Sequence, residues 1–286
     1  MGQPRIGLVL SAGGARGLAH IAVLEALDRV GIRPAWIAGC SIGAIVGSAY
    51  AAGMPGRDIR SYTLSIFADR TKVFAKLWDA RPRGLKNLIA PAGWNPTQLN
   101  SEKLMDIFLP EAVPERFEDL SIPFTVVASD FFAHRTVVLE TGDLRSAVAA
   151  SMSLPFLCRP VMRTVTGDGT GEARCLIDGG ATNPMPIDVL HGRADRVIAV
   201  DVVGGPEPGA AMPPPAGDVV IGAVQIMLRA IASEKLKVVR PDILVKPPIA
   251  SFGVLDFFKA KMILRAAESE RDDLARRFEK LLKAAA

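Results

Sequence analysis

Cysteine is scarce in this chain: Cys40, Cys158 and Cys175 are the only three among 286 residues. Three thiols cannot all pair with one another, and none of their spacings suits a metal site. That excludes a disulfide scaffold and a structural zinc module. Each cysteine is expected to be a small buried hydrophobe in a reducing compartment. Histidine is equally scarce, with His20, His134 and His191 the whole supply of imidazole bases. Two nucleotide signatures are missing. A Walker loop needs Gly-Lys-Ser/Thr, which does not occur. A Rossmann fingerprint needs G-x-G-x-x-G, but the first glycine-rich window reads Ala12-Gly13-Gly14-Ala15-Arg16-Gly17. The acidic residue due at the end of the second strand is also absent, so dinucleotide binding is excluded. Arg5 precedes an apolar run of only five residues, Ile6 to Leu10, so no secretory leader is expected. Met1-Gly2 lacks the Ser or Thr that myristoylation wants, because Ile6 stands there. The charge-free stretch from Pro34 to Gly56 is long enough to span a bilayer, but its pattern is that of a strand, a turn and a small-residue helix. No internal repeat is visible.

What is present is a core. Hydrophobic residues make up 49 % and charged residues 22 %, and the mean hydropathy is +0.26. This composition excludes global disorder and leaves room for a greasy surface. Ile6–Leu10 reads as a buried strand. Gly17–Val30 reads as a helix, with Ile21, Leu24, Leu27 and Val30 on one side and Gly31 as its stop. Ala35–Ala38 is a second strand, followed by a helix that runs through Ala52. Further strands are expected at Phe124–Ser129, Thr136–Glu140, Arg174–Ile177, Arg196–Val202 and Asp242–Val245. Helices are expected at Leu99–Phe108, Pro186–His191, Val219–Val238 and Asp256–Leu282. The alternation predicts an α/β three-layer sandwich, a mainly parallel central sheet flanked by helices. The expected organisation is a single domain over 1–286. Its core spans about 5–202, with an insertion or lid at about 57–96 and a C-terminal strand and long helix at about 218–286.

The net charge is +4, unevenly spread. Eight cations lie between Arg57 and Lys86 (Arg57, Arg60, Arg70, Lys72, Lys76, Arg81, Arg83, Lys86) against Asp58, Asp69 and Asp79, so this segment carries +5 and the rest −1. Interleaved Phe67, Phe74, Leu77, Trp78, Leu85, Leu88, Ile89 and Trp94 give two readings of residues 57–96: a peripheral contact with an anionic membrane surface, or a solvated structured lid. Nothing resembles a nucleic-acid recognition fold, so no nucleic acid is expected as a partner. The expected location is cytoplasmic, free or peripherally membrane-associated.

Two short stretches carry chemistry. Gly39-Cys40-Ser41-Ile42-Gly43 is G-x-S-x-G between a strand and a helix, the nucleophile elbow that lifts Ser41 clear of the chain. The loop from Gly13 to Gly17 opens the first helix. Backbone N–H groups of Gly13, Gly14 and Ala15 at a helix N-terminus suit an oxyanion hole, and successive parallel strands bring this loop and Ser41 to one sheet edge. Arg16 is expected to orient the loop or offset developing charge, with a plain surface arginine as the other reading. A hydroxyl needs a base. His20 reads as a packing or surface residue, and His134 sits at a hairpin-like turn. His191 has the chain order of an α/β-hydrolase base but stands at a helix end. Asp178, at a strand end before Gly179 and Gly180, is the better partner.

Four blocks together resemble the patatin-like phospholipases: LVLSAGGARGLAHIAVLEAL, GCSIGAIVG, AVAASMSLPFLCRP and LIDGGATNPMP. The tail PDILVKPPIASFGVLDF is similar to the C-terminal part of bacterial members. The resemblance implies a Ser41–Asp178 dyad in place of a triad and assigns Gly13, Gly14, Ala15 and Arg16 to the oxyanion hole. Gly17, Gly39, Gly43, Gly179 and Gly180 are its motif glycines. The departure is Ala12, where many members have glycine, which implies a local change in loop geometry. The implied reaction is hydrolysis of a lipid acyl ester through an acyl-enzyme, with no metal or cofactor in any step. Phospholipids, lysophospholipids and acylglycerols are the implied substrates. The alternatives are a non-catalytic lipid-binding or adaptor protein that keeps the fold, and a small-ester hydrolase using His191.

Overall fold

The computed structural model describes residues 4–81, 98–165, 171–207 and 213–283. Ile6–Leu10 forms β1 and is buried at every position, as a strand covered on both faces must be. The other strands are β2 (Trp36–Cys40), β3 (Phe124–Asp130), β4 (Arg135–Leu139), β5 (Val161–Thr164), β6 (Ala173–Asp178), β7 (Arg196–Val200) and β8 (Ile243–Val245). Among the described residues they make one sheet in the order β5-β6-β3-β2-β1-β7-β8, with β4 also paired to β3. The five strands from β8 to β3 run parallel. The pairings β3–β4, β3–β6 and β5–β6 are antiparallel, so the sheet is mixed with a parallel majority.

Successive strand residues face opposite sides of a sheet. Leu8, Leu10 and Ile37 therefore join the larger apolar core with α1 (His20–Arg29), α2 (Ile42–Ala51), α8 (Ala260–Glu268) and α9 (Arg271–Lys283). Val9, Ala38 and Ala199 face the other way, against Met185, Ile187, Leu190 and Ala232 of α7 (Ala216–Val238). These are the three layers of the expected sandwich. The charge-free stretch from Pro34 to Gly56 holds β2, the elbow and α2. Helix α7 is, among the described residues, the one helix long and apolar enough to cross a membrane.

Several expected elements differ. The first helix begins as a tight 3-10 turn, Gly14–Ala19, and is α-helical only from His20. The single long C-terminal helix is a 3-10 turn (Phe257–Lys259) followed by α8 and α9. It breaks where the Ser269 hydroxyl bonds back to the Ala266 carbonyl at 2.7 Å, in competition with the helix ladder. The helix expected at Pro186–His191 is only the 3-10 turn Asp188–Leu190. There Asp188 is drawn into bonds with Asn183 and Lys235. Strand β5 leaves no mark in the sequence, since four residues carry little periodic signal without their partner β6.

Of the basic segment, the described part folds as α3 (Gly56–Ala68) and α4 (Arg70–Asp79), joined to α5 (Ser101–Phe108) beyond it. Positions 82–96, with Arg83, Lys86, Leu85, Leu88, Ile89 and Trp94, lie outside the described residues. Arg60 is committed to Glu25 at 2.6 Å, and Phe67 packs on Phe257 at 5.9 Å between ring centroids. Arg70 and Arg81 instead lie over the rings of Phe258 and Trp78.

Candidate active site

Strand β2 ends at Cys40 and α2 begins at Ile42, so Ser41 alone makes the turn. Its φ is +55°, a left-handed conformation that costs a non-glycine residue about 1–3 kcal/mol and persists only when its surroundings enforce it. The enforcement is visible. The Ser41 N–H donates at 2.8 Å to the hydroxyl of Ser151, the last residue of α6 (Leu144–Ser151), and that hydroxyl donates to the Val127 carbonyl at 2.6 Å. Gly43 lets α2 press on β1, where a Cβ would stand 2.2 Å from the Leu10 carbonyl oxygen. Gly17 and Gly39 lie in equally close contact, with Ile42 and with the Gly43 backbone respectively.

The register of β3 explains how Asp178 arrives. On one edge of β3, Cys40 lies opposite Val127 and Asp178 lies opposite Ala128. Both belong to that one edge, because β4 already faces Val127 and Ala128 from the other side. Where β2 turns away into the elbow, the antiparallel β6 takes over its place beside β3. The last residue of β6 therefore lands next to Ser41. The Ser41 hydroxyl donates to Asp178 Oδ2 at 2.7 Å. Asp178 Oδ1 accepts the Gly180 N–H at 2.7 Å. The Asp178 backbone is held as well, its N–H by the Ser153 carbonyl and its carbonyl by the Ser129 hydroxyl. Gly179 passes against the Val127 carbonyl where no side chain fits. Burial pushes the Asp178 carboxyl up to about 6, while the bonds from Ser41 and Gly180 pull it down. At neutral pH it is therefore mostly ionised and free to accept a proton, and is a stronger base than a solvated aspartate.

The glycine-rich loop follows β1 at the same edge. Ser11 anchors it: its N–H donates to the Val200 carbonyl and its hydroxyl accepts the Val202 N–H at 2.9 Å. His20 is fully buried and its Nε2 lies 3.0 Å from the Ser11 carbonyl. Burial lowers His20 to about 4, so the ring is neutral and Nε2 must carry the proton it donates. His20 is thus a loop-holding residue, a role its position in an apolar helix face did not reveal. Gly14 takes φ +59° and lies under the Val254 carbonyl, which accepts the Ala15 N–H at 2.8 Å. Outside helices and strands, no backbone acceptor among the described residues takes the Gly13 or Gly14 N–H. Arg16 is 2 % exposed, which rules out the surface reading. Its guanidinium turns to the Gly205 carbonyl and the Gln225 amide oxygen, at 3.4 and 3.3 Å, and lies against Gly204. Burial lowers its pKa.

On the other side, Ser41 and Gly14 open onto a cavity of about 300 Å³ between α2, α3, α5 and the chain around Val254–Phe258. Its wall is almost wholly apolar, with Ile45, Ala49, Ile59, Leu104, Phe108 and Phe258 among the lining residues. Such a cavity suits a hydrocarbon chain next to the hydroxyl.

The histidines do not reach this site as bases. Ser41 follows the C-terminal end of β2, whereas His191 precedes the start of the parallel β7, at the opposite sheet edge. The His191 reading is therefore overturned by topology. His134 takes φ +54° in the β3–β4 turn. Cys40 and Cys158 are buried, and burial pushes both thiols up, Cys158 to about 11; Cys175 is partly exposed. None is a competing nucleophile, since the thiolate is the reactive form.

A profile of the patatin-like phospholipase family matches residues 8–191. An uncharacterized NTE family protein of Mycobacterium tuberculosis is 36 % identical over 210 residues, 73 % of this chain and 52 % of that protein. Patatin-like phospholipase domain-containing protein 6 of Homo sapiens is 32 % identical over 203 residues, 69 % of this chain and 13 % of that protein. The chain spans about half the length of the mycobacterial relatives it matches. The crystal structure of VipD from Legionella pneumophila superposes with a TM-score of 0.49 at 12 % identity, over 96 % of this chain and 67 % of VipD.

Proposed function

This chain belongs to the patatin-like phospholipase family, and from that premise we propose that it is a serine hydrolase of lipid acyl esters working through Ser41 and Asp178. The observation that carries the reading is the 2.7 Å bond from the Ser41 hydroxyl to Asp178 Oδ2 at the mouth of an apolar cavity. The acyl chain of a phospholipid, lysophospholipid or acylglycerol enters the cavity, which brings its ester carbonyl to Ser41. Oγ attacks the carbonyl carbon as its proton passes to Oδ2. The negative charge that develops on the carbonyl oxygen is met by the Gly13 and Gly14 N–H groups. The Ala15 N–H joins them only if the Val254 carbonyl withdraws. The tetrahedral intermediate collapses, Asp178 returns the proton to the departing alcohol, and an acyl-enzyme remains. A water molecule, deprotonated by Asp178, then releases the fatty acid and restores Ser41.

The first test is labelling by a fluorescent fluorophosphonate of the wild type, Ser41→Ala and Asp178→Asn, each checked by circular dichroism. Loss of labelling in both folded variants supports the reading, and a panel of phospholipids, lysophospholipids and glycerides then separates the substrates. A wild type that neither labels nor releases fatty acid from any member of the panel overturns it.

A further inference from the structure

Helix α7 is the longest described helix, and only Gly222, Gln225 and Ala232 of its 23 residues are buried. It crosses from β7 to the parallel β8, so it runs antiparallel to them. Its 23 residues span ~34 Å, whereas a five-residue strand spans ~17 Å. One half must overhang the sheet, and the contacts say which half. Ala232 packs on Val9, Ala38 and Ala199, and Lys235 pairs with Asp188. Further back, Leu228 reaches Gly180 and Gln225 meets Arg16, both at the catalytic edge. The chain from Gln225 back to Ala216, ~13 Å of helix, therefore stands beyond that edge.

The outward side of the overhang, and of the turn that follows it at the catalytic edge, is apolar. Val219, Val220, Ala223, Ile226, Met227 and Ala230 recur at helical spacing on one side, and all are exposed. Asp218 and Arg229 fall at other helical positions. Further along, the same outward side carries Glu234 and Lys237, which pair in solvent, beside the exposed Val238. A continuous apolar surface at and past the active-site edge is not explained by packing among the described residues. A membrane-crossing role does not fit either, because it would strip Ala232 and Lys235 from the sheet. Across the mouth, Leu255 lines the cavity, and exposed Phe74 stacks on Phe258 of its wall. The guanidinium of Arg70 lies over that same Phe258 ring, a cation placed among apolar groups as a phosphate headgroup would require.

We propose that the N-terminal half of α7, from Val219 to Ala230, inserts its apolar side into a phospholipid surface and so sets the catalytic edge against the membrane. The partner rests on the reading of this site as a lipid-ester hydrolase. Insertion is shallow: the helix dips its outward residues among the acyl chains while its C-terminal half stays on the sheet.

The experiment uses the full chain carrying Ser41→Ala, so that vesicles stay intact, and measures flotation with phosphatidylcholine vesicles with and without phosphatidylglycerol. Adding Ile226→Asp and Met227→Asp should weaken vesicle binding roughly tenfold or more, with thermal melting unchanged because both side chains face solvent. In a second arm, Met227→Trp is bound to vesicles of brominated lipid, and the added indole fluorescence should be quenched relative to the parent. Vesicle binding unchanged by the two aspartates, or an indole that brominated lipid leaves unquenched in bound protein, overturns the proposal. So does a wild type that is dimeric by light scattering and becomes monomeric with the aspartates while keeping its vesicle affinity, since the face then belongs to a second copy. Failure of the hydrolase reading is separately visible: the aspartate variants with Ser41 restored should hydrolyse a soluble short-chain ester at the parental rate. If the parent itself hydrolyses no ester, it is that reading that has failed, whatever the flotation shows.

Discussion

Ser41 stands between two regions of opposite chemistry. On the Asp178 side, neighbouring polar groups are tied in: Ser151 to Val127, Ser129 to the Asp178 carbonyl, Gly180 to Oδ1. On the cavity side almost nothing is polar; the Tyr62 hydroxyl turns away to the Leu109 carbonyl at 3.0 Å. The difference teaches what each half needs. Proton transfer needs donors and acceptors held within a few tenths of an ångström, and hydrogen bonds are directional enough to do that. Holding a hydrocarbon chain needs only space that water does not favour, since burial of apolar surface has no direction.

Breaking the polar side should have the larger effect. Ser41→Ala and Asp178→Asn should each lower kcat/KM on a lipid ester by about 10³-fold or more, measured as fatty-acid release. The pH profile sharpens the assignment. With Asp178 near 6 and active as the carboxylate, kcat/KM should fall about tenfold per pH unit below that value and level off above it. A flat profile between pH 4.5 and 8 would remove Asp178 as the proton acceptor. Ser151→Ala leaves the Ser41 N–H and the Val127 carbonyl without their partner. It should cost about 1–3 kcal/mol of stability in a denaturant titration and lower kcat by roughly tenfold with KM little changed.

On the apolar side, Ala49→Leu narrows the cavity wall. Esters of long acyl chains should lose roughly tenfold in kcat/KM, while butanoyl esters keep their rate. The smallest expected effect is on stability. Asp178 is raised from 3.8 to about 6 by burial, so its ionisation opposes folding. Its contribution is fully present below about pH 4 and is lost as pH rises through 6. Asp178→Asn stays neutral, and its Tm at pH 7.5 should exceed that of the wild type by roughly 2–4 °C. At pH 4 the two should melt together.

The legibility of these two sides in the sequence differs for the same reason. Ser41 and Asp178 announce themselves because their neighbours are glycines, required where another backbone comes within bonding distance, as Gly43 and Gly179 show. Strands with continuous burial, such as β1 and β3, are likewise visible as apolar runs. Ser151, Ser129 and His20 carry no such mark. A serine in a small-residue helix reads as packing until β3 and the elbow are laid beside it. The cavity wall is drawn from α2, α3, α5 and Val254–Phe258, over two hundred positions apart in the chain, and no local pattern joins them.

The chain order of residue types was enough to settle the α/β layering, the elbow at Ser41 and the carboxylate at a strand end, because backbone sterics and period-2 or period-3.6 burial act over a few neighbouring residues. Three things waited on long-range contact. The mixed register of β3 brought Asp178 to Ser41, and topology sent His191 to the far edge. The packing of α7 on the sheet decided which side of that apolar helix is left bare near the catalytic edge. Those outcomes depend on loop closure and on which surfaces meet, and neither is encoded within the span of one element.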